Sequence, residues 1–340
     1  MKKGFGTVAP RKMVRIIGSV LLYCIVFAVM LVLVHSEESQ KNEAVFGSME
    51  GRFLSDITME YEGDAYHYRE NEITNYLIIG LDRENIDQAV GHQNGGQADF
   101  LVVLSIDRVN RTITPVMLDR DTMTEIQTYG IYGHPSGARV MQLCLAQAYS
   151  GLDSCGSDNT AAAIEALLHG VKIDHHITLD VAAVPLLNDG IGGVEITLQD
   201  YFTMYDPAMV KGTTIRLTGQ QAEFFVRGRM TVADGTNESR MARQQQYISG
   251  FLAQLREKMD ADPNIPTRLL NSISVHMQTD TSEETLLRDM GAYEDYEWLP
   301  MRAIQGTHRI DSYGFAEFWP DETVLKEMVA KIWFAKEEQK

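Results

Sequence analysis

The longest uninterrupted apolar run, Val14 to Val34, holds 21 residues and one charge, Arg15, at its edge. As a helix that run is long enough to cross about 30 Å of hydrocarbon. Shorter apolar runs, Ile73 to Gly80 (ITNYLIIG) and Asp99 to Asp107 (DFLVVLSID), predict strands covered on both faces. The second pairs with Thr112 to Leu118 (TITPVML) across the turn Arg108-Val109-Asn110-Arg111, which makes a hairpin within a sheet. Helical spacing follows over Met141 to Tyr149 and over Asn159 to Leu168, the latter with Asp158 as a cap and Gly170 as a stop. Short strands at His176 to Asp180 and Val194 to Thr197 enclose a helix that ends in the glycine-rich NDGIGGVEI. Thr218 caps a predicted helix from Gly219 to Phe225, and a longer one runs from Glu238 to Lys258. A short strand around Glu297 to Gln305 and an amphipathic helix from Glu322 to Phe334 close the pattern. The order predicts an α/β fold, α-β-α layered, with a mixed central sheet flanked by helices and one N-terminal transmembrane helix.

Charge places that domain outside the membrane. The chain has 340 residues, 44% hydrophobic and 23% charged, a composition that excludes disorder and collagen. Its net charge of -17 argues against sequence-blind duplex binding, so no nucleic-acid partner is expected. Residues 1–34 carry Lys2, Lys3, Arg11, Lys12 and Arg15 and no acid, whereas Glu37 and Glu38 follow the apolar run. By the positive-inside rule, 1–13 is a cytoplasmic tail, 14–34 a single-pass anchor and the rest extracellular. A cleavable signal peptide fits less well, because the run exceeds an ordinary h-region and HSEESQ follows it in place of a small-residue cleavage site. Residues 35–72, polar and acid-rich, read as a stalk, and 73–340 as the working domain. Cys24 falls in the apolar run. Cys144 and Cys155 form an even pair in an oxidising compartment, where a disulfide is the default and two free thiols the alternative.

Candidate chemistry gathers in an arginine cluster within this acidic domain. Arg227, Arg229, Arg240 and Arg243 fall within 17 residues, with Arg120 upstream. In FFVRGRM the arginines are i and i+2, on one side if the segment is extended, and Arg240 and Gln244 share a helical face. Planar, permanently charged guanidinium groups suit a phosphate or pyrophosphate; equally, such arginines pair with surface carboxylates. Asp82 after YLIIG, Asp99 opening DFLVV and Asp121 in LDRDT put carboxylates at strand ends, where layered folds build sites. Asp82 and Asp99 are candidate magnesium ligands, although a turn residue and a strand cap would look the same. His175 and His176 point to opposite faces of a strand, share no metal and are read as structural.

Seven ordered segments carry a resemblance: NYLIIGLD, QADFLVVLSID, MLDRDT, AQAYSG, LNDGIGGVEI, GQQAEFFVRGRM and ESRMARQQQYI. Over residues 75–255, behind an N-terminal anchor, the chain resembles the LytR-CpsA-Psr family of membrane-anchored cell-wall phosphotransferases. The resemblance implies a fold that holds a polyprenyl lipid in an apolar tunnel with its pyrophosphate at an arginine-lined mouth. It also implies transfer of a glycopolymer from that carrier to peptidoglycan as a phosphodiester, generally with magnesium. Carried over, Asp82 and Asp99 match the acids near the metal, and Arg120 matches the pyrophosphate arginine, with Asp121 orienting it. Arg227 and Arg229 match the paired arginines, and Arg240 with Gln244 the R-x-x-x-Q pair. Two departures stand out. Gln97-Ala98-Asp99 replaces the family's R-S-D, with Arg83 as a possible substitute for the missing arginine. Cys144 to Tyr149 replaces K-I-N-x-A-Y, which exchanges the lysine for Cys144. The alternatives are a membrane-anchored binder or regulator without turnover, which Gln97 favours, and a pyrophosphatase that uses water as acceptor.

Overall fold

The computed structural model describes residues 57–84, 86, 96–151, 155–262, 264–282, 285, 288, 289, 292, 293 and 296–337. The expected cytoplasmic tail, the anchor Val14 to Val34, Cys24 and the first part of the stalk lie outside these residues. Among the described residues no helix is long and apolar enough to cross a membrane.

The described strands are β1 Thr58–Tyr61, β2 Asp64–Tyr68, β3 Ile73–Leu81, β4 Ala98–Asp107, β5 Thr112–Leu118, β6 Met123–Tyr129, β7 Pro135–Gln142 and β8 His175–Leu179. They continue as β9 Glu195–Thr197, β10 Thr214–Arg216, β11 Met277–Thr279, β12 Glu297–Trp298, β13 Arg302–Ala303, β14 Gly306–Ile310, β15 Ala316–Pro320 and β16 Phe334–Lys336. The helices are α1 Gly156–Leu167, α2 Ala183–Gly190, α3 Gly219–Arg227, α4 Asn237–Ala261, α5 Ile265–Ile273 and α6 Glu322–Trp333. The central sheet has the order β11-β8-β3-β4-β5-β12, with β13 also on β5. It is mixed: β3 pairs antiparallel with β4 and parallel with β8, and β4 pairs antiparallel with β5.

Period-two alternation in the apolar strands sends side chains to two cores. Leu77, Ile79, Leu101 and Val103 face one with α1 and α6, while Tyr76, Ile78, Val102 and Leu104 face the other with α2 and α5. A third cluster joins α3 and α4 to β9 and the loop after it. The sheet is thus covered on both sides, as its uninterrupted apolar runs require.

Several expectations change. The stalk does not reach residue 72: β1 and β2 form a hairpin that pairs with β16, and Met59 and Tyr68 are buried in the core against α6. Met141 to Tyr149 is not an α-helix. It is the end of β7 followed by a 3-10 turn, Leu143–Ala148, because Leu143 N–H and Cys144 N–H donate to the carbonyls of Thr122 and Arg120. The strand expected around Glu297 breaks into β12 and β13, with Pro300, which has no N–H to donate, between them. Cys144 and Cys155 are both free. Cys144 is buried in the 3-10 turn, whereas Cys155 caps α1 with its thiol exposed beside Asp158 and His176.

Candidate active site

Antiparallel pairing brings three strand ends together at one end of the sheet. The C-terminus of β3 leads into Asp82, the N-terminus of β4 holds Asp99, and the C-terminus of β5 leads into Asp119, Arg120 and Asp121. Gly80 permits this closeness, since a Cβ there would lie 2.9 Å from Phe100 Cβ, next to the register shift at Leu81. The N-terminal half of α4 adds Asn237, Arg240 and Gln244.

Arg120 is the hub. One terminal nitrogen, Nη1, pairs with Asp99 Oδ1, and Nη2 donates both to Gln97 Oε1 and, at 3.0 Å, to Cys144 Sγ. Its Nε is buried without a hydrogen bond and sits 3.4 Å from Asp121 Oδ1. Arg240 Nη1 takes the second Asp99 oxygen at 2.7 Å, while its Nε and Nη2 donate to Asn237 Oδ1 at 3.1 and 2.6 Å. Arg229 Nη2 donates to Asp121 Oδ2 at 3.2 Å. Asp119 ties the floor together: its Oδ1 accepts from Asn237 Nδ2 at 2.6 Å and from Asp121 N–H at 2.8 Å, and His308 Nε2 lies 2.9 Å from its Oδ2.

Three arginines and three acids therefore interlock in a mostly buried layer. Burial, then the neighbouring charges of Arg120 and Arg229, push the Arg240 guanidinium down to about 10, so it stays charged at neutral pH. Burial and Asp119 raise the Asp121 carboxyl, against the pull of Arg229 and Arg120. Burial lifts the Cys144 thiol to about 11, so this cysteine is a neutral acceptor for Arg120 and not a nucleophile.

Beneath this layer lies an apolar cavity of about 450 Å³. Val102, Leu104, Ile177, Val184, Leu187 and Trp298 are among its walls, and its polar rim includes Asp82, Asp99, Arg227 and Gln244. Gln244 Nε2 donates to Val226 O at 3.3 Å, and its Oε1 is buried without a partner.

The arginine cluster read from the sequence divides. Arg120, Arg229 and Arg240 converge on Asp99 and Asp121. Arg227 is not in an extended segment with Arg229: it is the last residue of α3, exposed, and pairs with Glu223 at 2.6 Å one helical turn back. Arg243 is buried and donates to the carbonyls of Phe225 and Gly228, which fastens the end of α3, with Asp200 3.7 Å away. Arg83 packs along Gly96 beside Asp82. Gln97 acts as the acceptor that holds Arg120. Asp119, Asn237 and His308 were not singled out from the sequence. Asp119 is visible in the quoted LDRD, but nothing local marks His308, which arrives from β14.

Asp82 and Asp99 suit magnesium by chemistry, since it takes one or two carboxylates and fills its remaining positions with phosphate oxygens and water. Asp82 Oδ1 accepts Gln97 N–H at 3.1 Å. Asp99 receives two guanidinium groups, and an ionised carboxylate has about four lone-pair directions, so it can bond both and still face a cation.

The sequence model described as the LytR_cpsA_psr family matches residues 34–331. The polyisoprenyl-teichoic acid–peptidoglycan teichoic acid transferase TagU of Bacillus cereus (strain AH820) is 28% identical over 183 residues, 54% of this chain and 53% of that protein. The chain spans about half the length of the curated relatives it matches. Among solved structures, protein gbs0355 from Streptococcus agalactiae superposes with a TM-score of 0.61 at 19% identity, over 77% of this chain and 88% of that one. TagV of B. subtilis superposes with a TM-score of 0.57 at 20% identity, over 77% and 96%. At these identities the superpositions establish a shared fold.

Proposed function

The chain belongs to the LytR-CpsA-Psr family, and on that premise we propose that it moves a glycopolymer from a polyprenyl pyrophosphate carrier onto peptidoglycan. The observation that carries this reading is the apolar cavity with Asp82, Asp99, Arg227 and Gln244 in its lining, beside the part-buried guanidinium of Arg120 and the buried one of Arg240. An isoprenoid chain fills such walls, and a pyrophosphate is the head group that buried, forked donors recognise. The similarity to a named teichoic acid transferase points the same way.

Phosphoryl transfer asks for positioning and charge neutralisation more than for covalent help from the protein. Arg120, Arg229 and Arg240 turn from Asp99 and Asp121 to the pyrophosphate oxygens. Magnesium on Asp82 and Asp99 supplies further neutralisation of the phosphate charge when bound. A hydroxyl of the acceptor attacks the phosphorus next to the glycopolymer, the bond to the bridging oxygen breaks and polyprenyl phosphate departs. Asp82 or Asp99 accepts the hydroxyl proton. Anchoring by Val14 to Val34, with the domain outside, puts the enzyme where donor lipid and wall meet; protease applied to intact protoplasts should digest the domain and spare a short N-terminal fragment.

The test is the full-length chain in detergent with a synthetic polyprenyl-pyrophosphate saccharide, a peptidoglycan fragment and magnesium. A saccharide-phosphate-peptidoglycan product with polyprenyl phosphate released is expected. Binding without turnover would replace the transferase with a binder or regulator, and free saccharide phosphate would replace it with a pyrophosphatase.

A further inference from the structure

We propose that Cys155, Asp158 and His176, with water in the fourth position, form a zinc site separate from the arginine layer, to which none of them contributes. The Cys155 thiol, one Asp158 oxygen and one His176 nitrogen all lie within 4.8 Å of one another. Around a tetrahedral zinc, ligand atoms stand roughly 3.3–3.8 Å apart, so side-chain adjustments of about 1 Å suffice.

Three independent constraints hold the set. Cys155 and Asp158 share the first turn of α1, where Asp158 Oδ2 accepts Cys155 N–H at 2.8 Å. That bond leaves Asp158 Oδ1 directed to His176 Nε2, 3.0 Å away. His176 is only 7% exposed on β8, so its ring cannot swing out. Asp280, after β11, fixes the same histidine by accepting its backbone N–H at Oδ1, 2.9 Å, and brings Oδ2 to 3.9 Å from Nε2.

Residue chemistry selects the ion. Cys155 and Asp158 form a capping box at the start of α1, but cysteine is a weak cap compared with Ser, Thr, Asp or Asn, so capping alone does not account for an exposed thiol beside His176. A sulfur, a nitrogen and a carboxylate suit a borderline ion of tetrahedral habit, whereas magnesium and calcium favour oxygen alone. Zinc replaces the hydrogen bond between His176 Nε2 and Asp158 Oδ1, takes that nitrogen in its unprotonated form and displaces the Cys155 thiol proton to solvent. The ion would tie the start of α1 to β8, a cross-link in the place of the expected disulfide.

The full-length chain in detergent is titrated with zinc against a chromophoric chelator, and separately with cobalt as an optical probe. One tightly held zinc per chain is expected. Cys155→Ser and His176→Gln should each weaken it by about tenfold or more, and Asp82→Asn should leave it unchanged. Cobalt should give tetrahedral visible bands and a thiolate charge-transfer band that Cys155→Ser abolishes. Serine is the better cap, so this variant should keep the parent's circular dichroism and thermal midpoint before metal is added. A parent that holds no zinc, equal zinc affinity in both variants, or Cys155 recovered in a disulfide would each overturn the site.

Discussion

At the scale of single residues, Arg120 is held by neighbours that a pyrophosphate can replace. Gln97 and Cys144 are neutral acceptors that aim the guanidinium, Asp99 is the carboxylate partner that a pyrophosphate would displace, and Nε has no hydrogen bond. Removal of one preorganised donor from such a site costs about 3–4 kcal/mol in the transition state, roughly a hundredfold to a thousandfold in rate. Arg120→Ala should lose that much turnover in the transfer assay. Arg120→Lys should recover little, because an ammonium lacks the fork. Arg268→Ala serves as control, its ion pair with Asp262 being exposed; equal turnover for Arg120→Ala and this control would remove Arg120 from the reaction. Read as a sequence, Gln97 looks like a lost cationic contact. In the fold its oxygen is a gained contact to Arg120, a role that needs the three-dimensional approach of β4 to the end of β5. Gln97→Leu keeps the bulk and deletes the acceptor, so kcat/KM should fall about tenfold, the worth of one hydrogen bond to a charged donor. Unchanged kcat/KM would show that Gln97 does not hold Arg120.

At the scale of elements, the β4–β5 hairpin supports the reactive end of the sheet from its far side. Asp107 fastens its turn: Oδ1 accepts from Val109 and Asn110 N–H at 3.0 and 2.8 Å, and Oδ2 from Arg69 Nη1 at 2.8 Å. Burial alone would raise this carboxyl, but Arg69 and the turn amides hold it below its ordinary 3.8. A depressed folded-state pKa contributes stability that is full above the unfolded value and is lost as pH falls through the folded one. Asp107→Asn should therefore be less stable than the parent at pH 7, and the gap should close below about pH 4; urea midpoints across that range measure it, and a gap independent of pH would assign the loss to geometry instead of charge. This hairpin was legible from its uninterrupted apolar runs and turn, and α3, α4 and α6 from caps and spacing, because their stabilising contacts are local. The β6–β7 hairpin and the split of β12 from β13 were not. β12 and β13 pair with β5 from far along the chain, and β7, although only a short loop from β6, is largely exposed, so its apolar pattern is weak. The same reason hid His308, whose partner Asp119 is 189 residues away.

At the scale of the molecule, the helix layer formed by α2, α4 and α5 does not close against the sheet everywhere, and the gap is the cavity. Native interiors are close-packed, so about 450 Å³ of apolar space beside a charged rim is a feature that a fold built for stability alone would not keep. Filling it tests whether a lipid needs it. Val184, on the first turn of α2 and partly exposed to the cavity, is a suitable point, since a larger side chain enters open space and avoids the strain of overpacking. Val184→Trp should keep the parent's thermal midpoint within a few degrees. It should raise KM severalfold or more for a donor with a long isoprenoid chain while it barely changes KM for one with a short chain, because the pyrophosphate contacts lie at the rim and the tryptophan lies within. Equal effects on both donors would mean that the substitution disturbs the rim. No effect on either would mean that the lipid lies elsewhere, and the cavity would then lose its place in the proposed reaction.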